Sequence, residues 1–550
     1  MTDARDESFQ RSRIRPGAVC KYASLVVVLS IGGYLLLPPD GEGAAGSATW
    51  TSVNADAKYV IKLSPGWSYL PGSRPGGIGQ PLQGLKTVIT RFEKRFPDTR
   101  IEVINAPGVR EYLVTQLSSG AAPDIVNVNV EDVWVDVQKD WYVPLDHFLE
   151  RPNPFIPPGQ PGSKQWWDMF RYQAISRGKA APNGKNYCLS LDMVETGIFY
   201  NKTLFDRLGL TPPQTWEQFM DVLARIKEAG KDKGTIPLLM HLSAFSDWCK
   251  DLIFDQLYYD LLPGIDLKKD PKREGYLQGY LDPEELAFLY DKGFFTRQDP
   301  RYVRLWEIMR DLKRYTNDNM TSMDLTREFV TQRAAMLWSG SWLTHRLVAD
   351  HRLDFEWSVF YLPRFTKNTS QYASGEPMCV IGGAASQFEV TCSAVGDTDP
   401  TLPMAERMAT SERLKRVIAF LQFLCVPANT ETIVNEYACY LPNIVGVEPL
   451  EPLKPFAEIL ERRYTTTKWV FSFGLRFRFI QDRMLSLYLV DGIGTEGLFD
   501  WQEDNLTRAV RDLRRRKKPD MAALEAEWRR LAPKRVHFKG LPPLSRKTPK

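Results

Sequence analysis

The spacing of apolar residues changes period several times along the chain, and each change marks an element. "KYVIKLSPGW" alternates and then breaks at Ser64-Pro65-Gly66, which predicts a strand that hands Trp67 to a loop. Leu82, Leu85, Val88, Ile89, Phe92 and Phe96 recur at helical spacing, so 81–96 is predicted as an amphipathic helix. "RIEVINA" then reads as a second strand, "VREYLVTQLSSG" as a second helix stopped by Gly120, and "PDIVNVNV" as a third strand. Alternation of strand and helix predicts an α/β unit with a parallel sheet. In such sheets the reactive surface lies at the carboxyl ends of the strands.

A loop rich in Pro and Gly, "RPNPFIPPGQPGSK", separates this unit from "YCLSLDMVETGIFYNK". A short helix is predicted over 203–208, opened by Thr203 and closed by Gly209. Thr215 and Gln218 have capping-box spacing ahead of an apolar face of Trp216, Phe219, Val222, Leu223 and Ile226. Residues 245–330 are mostly helical in pattern. "EFVTQRAAMLWSGSWLTHRL" reads as helix, short strand, polar turn and helix, and "RLKRVIAFLQFLC" as a further helix. No internal repeat is visible.

With 550 residues the chain exceeds the size of a single core, so two or more lobes are expected. The net charge of +4 conceals an asymmetry: 506–550 holds 15 Lys and Arg against 4 Asp and Glu, and 22–505 stands at −9. An acidic body argues against nucleic acid as the main ligand. The basic end reads as a solvated helix and tail, or as a surface for acidic lipid or a partner. At the other end, "RSRIRPGAVCK" precedes an uncharged run of 16 residues, 22–37, followed by "PPDGEGAAGSATW". That is the layout of an export signal, cleaved near Ala45 or Ala48 or kept as an N-terminal anchor. Export permits disulfides among the six later cysteines, with Cys379–Cys392 and Cys425–Cys439 as the local candidates. No cysteine or histidine spacing suits a metal, and no cofactor motif is present.

Seven segments in order carry a resemblance: "FEKRFPDTRIEV", "LSSGAAPDIVNV", "WYVPLD", "IFYNKTLFDRLGLTPPQTWEQF", "FVTQRAAMLWSGSW", "GGAA" and "AFLQFLCVPANTETIVNEYACYLPNIVGV". Together, behind an export signal, they resemble the extracellular solute-binding proteins of sugar-type ABC importers, the group that contains maltose-binding protein. The resemblance spans roughly 58–510. It implies an α/β, two-lobe periplasmic-binding-protein-like fold of type II, with hinge strands and a ligand cleft between the lobes. The first crossing is expected near 189–195 and the return near 380–384, where Gly382 and Gly383 suit a hinge. The implied division is 1–50 for the signal or anchor, 58–190 plus 384–442 for lobe 1, 191–380 plus 443–520 for lobe 2, and 521–550 for a basic tail. The implied partners are a small-molecule carbohydrate and ABC permease membrane subunits, for a protein that is monomeric and periplasmic or anchored on the extracytoplasmic face.

A sugar offers hydroxyl rims that need fixed donors and acceptors, and a C–H face that packs on an aromatic ring. Among positions the resemblance places in the cleft, Trp67 either stacks on ligand or packs in its lobe. Asn127, Asn129 and Glu131 share one face of a strand, and Glu131 matches a position that accepts ligand hydroxyls in the family. Asp192 and Glu195 sit at the first crossing, where one of them is expected to face the ligand. The family's usual Pro in that strand is replaced here by Ser190 or Leu191. Trp342 in "SGSW" matches an aromatic that stacks on sugars in relatives, and Trp338 reads as core. Arg476 and Arg478 alternate with aromatics in "FSFGLRFRF", and Arg478 either pairs an anionic ligand or is solvated.

Three function classes follow: a transport binding protein, an exported glycosidase, and a ligand-presenting partner of a membrane sensor. No H-E-x-x-H, G-x-S-x-G or P-loop pattern occurs. Asp192 with Glu131 can be drawn as a glycosidase dyad, though a sugar site also uses carboxylates purely as acceptors. No catalytic residue is therefore assigned.

Overall fold

The computed structural model describes residues 52–542 except 78, 107–109, 129–132, 134–135, 172–180, 182, 269–280, 384–386, 462, 466–474 and 537–539. The expected export signal and the candidates Asn129 and Glu131 lie outside the described residues. No single described helix is long and apolar enough to cross a membrane.

Two sheets organise the chain. The first contains β1 (Tyr59–Ser64), β2 (Thr99–Val103), β3 (Ile125–Asn127), β4 (Cys188–Ser190) and the late strand β10 (Gln387–Val390), in the order β2-β1-β3-β10-β4. β1 is parallel to both β2 and β3, while β10 is antiparallel to β3 and β4. The second sheet is built on β5 (Asp192–Asn201), whose ten residues are all buried. β5 pairs antiparallel with β7 (Ala334–Gly340), β8 (Trp357–Phe360), β9 (Met378–Gly383) and β11 (Leu441–Pro442). β6 (Ile236–Leu239) adds parallel to β7, and β12 (Arg463–Thr465) parallel to β9.

Each sheet has its own core. Ile61, Leu63 and Ile125 of the first sheet pack with Leu85, Val88 and Phe92 of helix Gly84–Arg95 and with Phe420 and Leu421 of helix Glu412–Leu424. Apolar residues three and four apart on those helices supply the facing stripe. Asp124, at the start of β3, is fully buried; it accepts from Lys62 N and holds Arg413 through two bonds of 2.8 and 2.7 Å. The second core joins Ile198, Leu238, Met336 and Trp338 to the helix Trp216–Ala229. Its N-terminus carries the capping box of Thr215 and Gln218. The preceding helix, Lys202–Leu208, is capped by Asn201, which accepts from Leu204 N at 2.7 Å, and not by Thr203. Thr203 Oγ1 accepts from Glu356 N instead. Gly209 closes that helix at φ 60°, a conformation costly to any residue with a Cβ.

The chain leaves the first sheet at Ser190 and enters the second at Asp192, so Leu191 alone separates the two strands. It returns between β9 and β10. A third link is the segment before β11: Tyr437, Cys439 and Tyr440 belong to the first core, whereas Ala438 and Leu441 belong to a second-sheet cluster with Met193 and Phe199.

The C-terminal region departs from expectation. Residues from 521 on were expected as a basic tail, but Leu524, Trp528 and Leu531 are buried in the second core against Phe288 and Phe294. Arg535 lies 3.4 Å over the Trp528 ring and donates to the Gly264 carbonyl at 2.8 Å. Apolar residues one helical turn apart in "MAALEAEWRRLA" account for this packing. The cysteine pairs also fail: Cys392, Cys425 and Cys439 are free thiols, so neither local disulfide is formed. Cys425 is sealed at the end of helix Glu412–Leu424, and Cys439 Sγ donates to the Trp342 carbonyl at 3.4 Å.

Candidate functional site

The two exposed tryptophans among the described residues are Trp67 (51%) and Trp342 (36%). Each stands just past the carboxyl end of a strand that belongs to a parallel pair, β1 in the first sheet and β7 in the second. That is where an open α/β sheet leaves backbone and side chains free for a ligand.

Trp67 is presented by a tight turn. Gly66 has φ +69°, and a Cβ there would lie 2.7 Å from Asn127 Nδ2. Asn127 donates that amide to the Pro65 carbonyl at 3.0 Å. Asn127 thus acts on the turn that holds Trp67. Ser73 Oγ donates to the Trp67 carbonyl and fixes the other side.

Trp342 begins the helix Leu343–Ala349, with its ring laid over Gly340: a Cβ at that glycine would lie 2.0 Å from the indole. Trp248 comes to it from the next strand end, with ring centroids 5.7 Å apart at 60°. Trp248 belongs to a π-helical segment, Ala244–Cys249, that follows β6. Such wide turns recur at functional sites because they re-aim side chains.

Arg478 was read as part of an alternating segment able to meet an anion. It lies instead on a helix, Leu475–Leu489, and grips both oxygens of Asp247 at 2.9 and 2.7 Å. The side chain of Arg476 lies outside the described residues. Beneath, Lys250 is almost fully buried. Burial pushes its ammonium below the usual lysine range, and the carboxylates of Asp251, Asp247 and Asp482 oppose that shift. Burial also raises the Asp482 carboxyl. This charged layer holds the π-helical segment in place.

Asp192 and Glu195, one of which was expected to face the ligand, are both fully enclosed. Asp192 Oδ2 accepts from the Tyr69 hydroxyl, two residues past Trp67. Glu195 is bound through its backbone, whose carbonyl accepts from Ser341 N at 2.8 Å, and its Oε1 accepts from Thr196 N. The Asp192 carboxylate thus ties the crossing strand to the Trp67 turn, and the Glu195 backbone ties it to the Trp342 turn.

Sequence reasoning missed the aromatic link between those turns. Tyr437 donates to the Ser68 carbonyl and Tyr440 to Ser68 Oγ, each at 3.0 Å, and Tyr69 meets Tyr440 edge-on at 5.8 Å. On the other side His345 meets Tyr437 at 5.4 Å. Burial holds both phenols above their usual pKa, so they stay neutral donors. Two tyrosines three residues apart in "EYACYLPN" were the available signal. Among the described residues no cluster of His, Cys, Asp and Glu is arranged to hold a metal ion. A separate cavity of about 440 Å³, lined by Arg297, Arg304 and Tyr372, lies on the outer helical layer; it uses none of the strand ends.

Two sheets with separate cores, strands crossing between them and aromatic turns at strand ends of both sheets define a two-lobe α/β binding protein of the type II fold. The chain belongs to the bacterial extracellular solute-binding protein family, whose model matches residues 77–385. It is 27% identical over 143 residues to the multiple sugar-binding protein of Streptococcus mutans serotype c, a stretch covering 26% of this chain and 30% of that protein. The match thus spans under a third of the relative. In three dimensions the chain is similar to the apo form of RafE from Streptococcus pneumoniae (17% identity, TM-score 0.53, covering 83% of this chain and 98% of that one). It is also similar to RafE in complex with raffinose (17% identity, TM-score 0.51, 82% and 99% covered).

Proposed function

We propose that this protein captures a carbohydrate between its two lobes outside the cytoplasm and delivers it to an ABC-type import permease, without changing it chemically. The observation that carries the reading is the placement of Trp67 and Trp342, exposed at strand ends of opposite sheets and tied to one tyrosine pair. Flat rings that stay partly wet in the empty protein suit the C–H face of a pyranose. Trp67, Trp248 and Trp342 would form the stacking surfaces. Asn129 and Glu131 would supply hydroxyl partners at the end of the third strand. The lobes would comprise 58–190 plus 384–442 and 191–380 plus 443–535, closing about the crossings near 191, 384 and 440. Closure would hide the ligand from water and present one surface to the permease. The sugar-binding names of the relative and of the raffinose complex support a sugar as the ligand. Enclosure of Asp192 and Glu195 favours binding over hydrolysis.

A thermal-shift screen against neutral oligosaccharides, monosaccharides, polyols and sugar phosphates tests it. A sugar that raises the melting temperature should be recovered intact, and scattering should show compaction. Hydrolysed product, or no response to any carbohydrate, would sink the proposal.

A further inference from the structure

The C-terminal helices carry a surface that sugar capture does not use. Helix Thr495–Lys517 buries Leu498, Phe499, Gln502, Leu506, Val510 and Leu513 along one stripe. The outer side of its C-terminal half is basic. From 507 to 518 the exposed charged residues are Arg508, Arg511, Arg515, Arg516, Lys517 and Lys518, against Asp512 alone. Arg508, Arg511 and Arg515 are three and four residues apart, so they line up on the side opposite the buried stripe. Because this helix is packed into the second core, the cations are held as a fixed array. The body before it is opposite in sign, with 22–505 at −9 against +11 for 506–550. Stability of the fold gives no reason for such a split, since one or two basic residues suffice to complement a helix C-terminus.

We propose that this basic face docks on the anionic headgroups of a lipid bilayer, and so orients the second lobe at the membrane surface. Charge complementarity selects the partner. An array of guanidinium and ammonium groups meets a plane of phosphates. Each cation near an anionic leaflet contributes about 1 kcal/mol, which is about fivefold in partitioning. Three of them together account for roughly 100-fold.

The test uses the full chain with neutral phosphatidylcholine vesicles and with vesicles containing phosphatidylglycerol. The wild type should bind the anionic vesicles more tightly and release them as salt rises. Arg508→Gln/Arg511→Gln/Arg515→Gln should lower anionic-vesicle partitioning by roughly 100-fold, and the corresponding triple Glu variant by more. The N-terminal run is common to all variants, so the difference reports the helix face. Melting temperature and sugar affinity should stay unchanged, which separates this outcome from a failure of the sugar-binding reading. Equal partitioning of wild type and triple Glu variant, or no preference for the anionic lipid, would overturn the proposal, as would capture of an acidic protein by this face without vesicle binding.

Discussion

Replacing Trp342 by Ala separates a ligand surface from a core residue, and its size can be worked from exposure. At 36% exposed, a Trp side chain of roughly 250 Å² leaves about 90 Å² open and about 160 Å² packed. Covering the open part with a sugar face removes about 90 Å² from water, or about 2 kcal/mol, which is roughly 30-fold in Kd. The packed part, against Gly340 and Trp248, carries at most about 4 kcal/mol by the same coefficient. Water can enter the vacated turn, and the unfolded chain already hides some of that area, so about 2 kcal/mol of lost stability is expected. For a chain this long that is a fall of a few degrees at most. Calorimetric titration with the sugar found by thermal shift, beside a melt of the empty protein, reads both numbers. Trp338, 2% exposed within the preceding strand β7, is the control: Trp338→Phe should lower the melt and leave affinity alone. Unchanged affinity in a folded Trp342→Ala protein, or a melt that collapses, would refute the assignment.

Gly340→Ala should weaken sugar binding by about tenfold with Trp342 still present, because the new methyl would stand 2.0 Å from the indole and force it to turn. Tryptophan fluorescence of the empty protein should change with it, and an unaltered spectrum with wild-type affinity would count against the stacking geometry. Tyr69→Phe removes the hydroxyl that donates to the enclosed Asp192 and should cost about 1–3 kcal/mol in urea unfolding; a loss below about 0.5 kcal/mol would mean that this bond does not brace the crossing. Asp299, the buried cap of helix Pro300–Lys313, is pushed by burial from 3.8 up to about 6, against the Tyr258 hydroxyl and the amides of Phe295, Arg301 and Tyr302. Its folded pKa lies above the unfolded one, so the stability linked to it is fully present below about pH 4 and is lost as pH rises through 6. Asp299→Asn should flatten that part of the stability–pH curve, whatever it does to absolute stability, and an unchanged slope would remove Asp299 as its source.

Local signals in the chain reach far into this fold. The alternation in "KYVIKLS", the helical stripe from Leu85 to Phe92 and the Thr215–Gln218 box all depend on neighbours within a few residues, and each appears where its pattern puts it. What stayed hidden depends on partners far along the chain. Arg478 and Asp247 are 231 residues apart, and "FSFGLRFRF" gives a strand-like period although its second half lies on a helix. Trp248 enters the site through a π-helical turn whose sequence, "AFSDWC", carries no mark of it. Of the candidate residues, Trp67 and Trp342 were chosen by residue type and stand exposed just past strand ends. The enclosure of Asp192 and Glu195 was not legible, because a residue on a crossing strand is met by both lobes and Tyr69 and Ser341 lie beside them.

That double demand gives the crossing its mechanical meaning. Between Tyr437 and Pro442 the chain alternates between cores, with Tyr437, Cys439 and Tyr440 in one and Ala438 and Leu441 in the other. A rigid rotation of the lobes cannot leave both sets of contacts untouched, so this segment must either pivot as a unit or exchange contacts. The hydrogen bonds favour a pivot with the first lobe. Tyr437 and Tyr440 hold Ser68, whereas the second lobe is met by the Leu441–Pro442 pairing with Asp192 and Met193 at the crossing itself and, away from the crossing, by the weak Cys439 thiol bond to Trp342 and the ring edge of His345. Weak contacts yield first. Closure would then slide Trp342 and His345 across a tyrosine surface fixed beneath Trp67, and this would change the spacing of the two tryptophan turns without disturbing either turn's own supports.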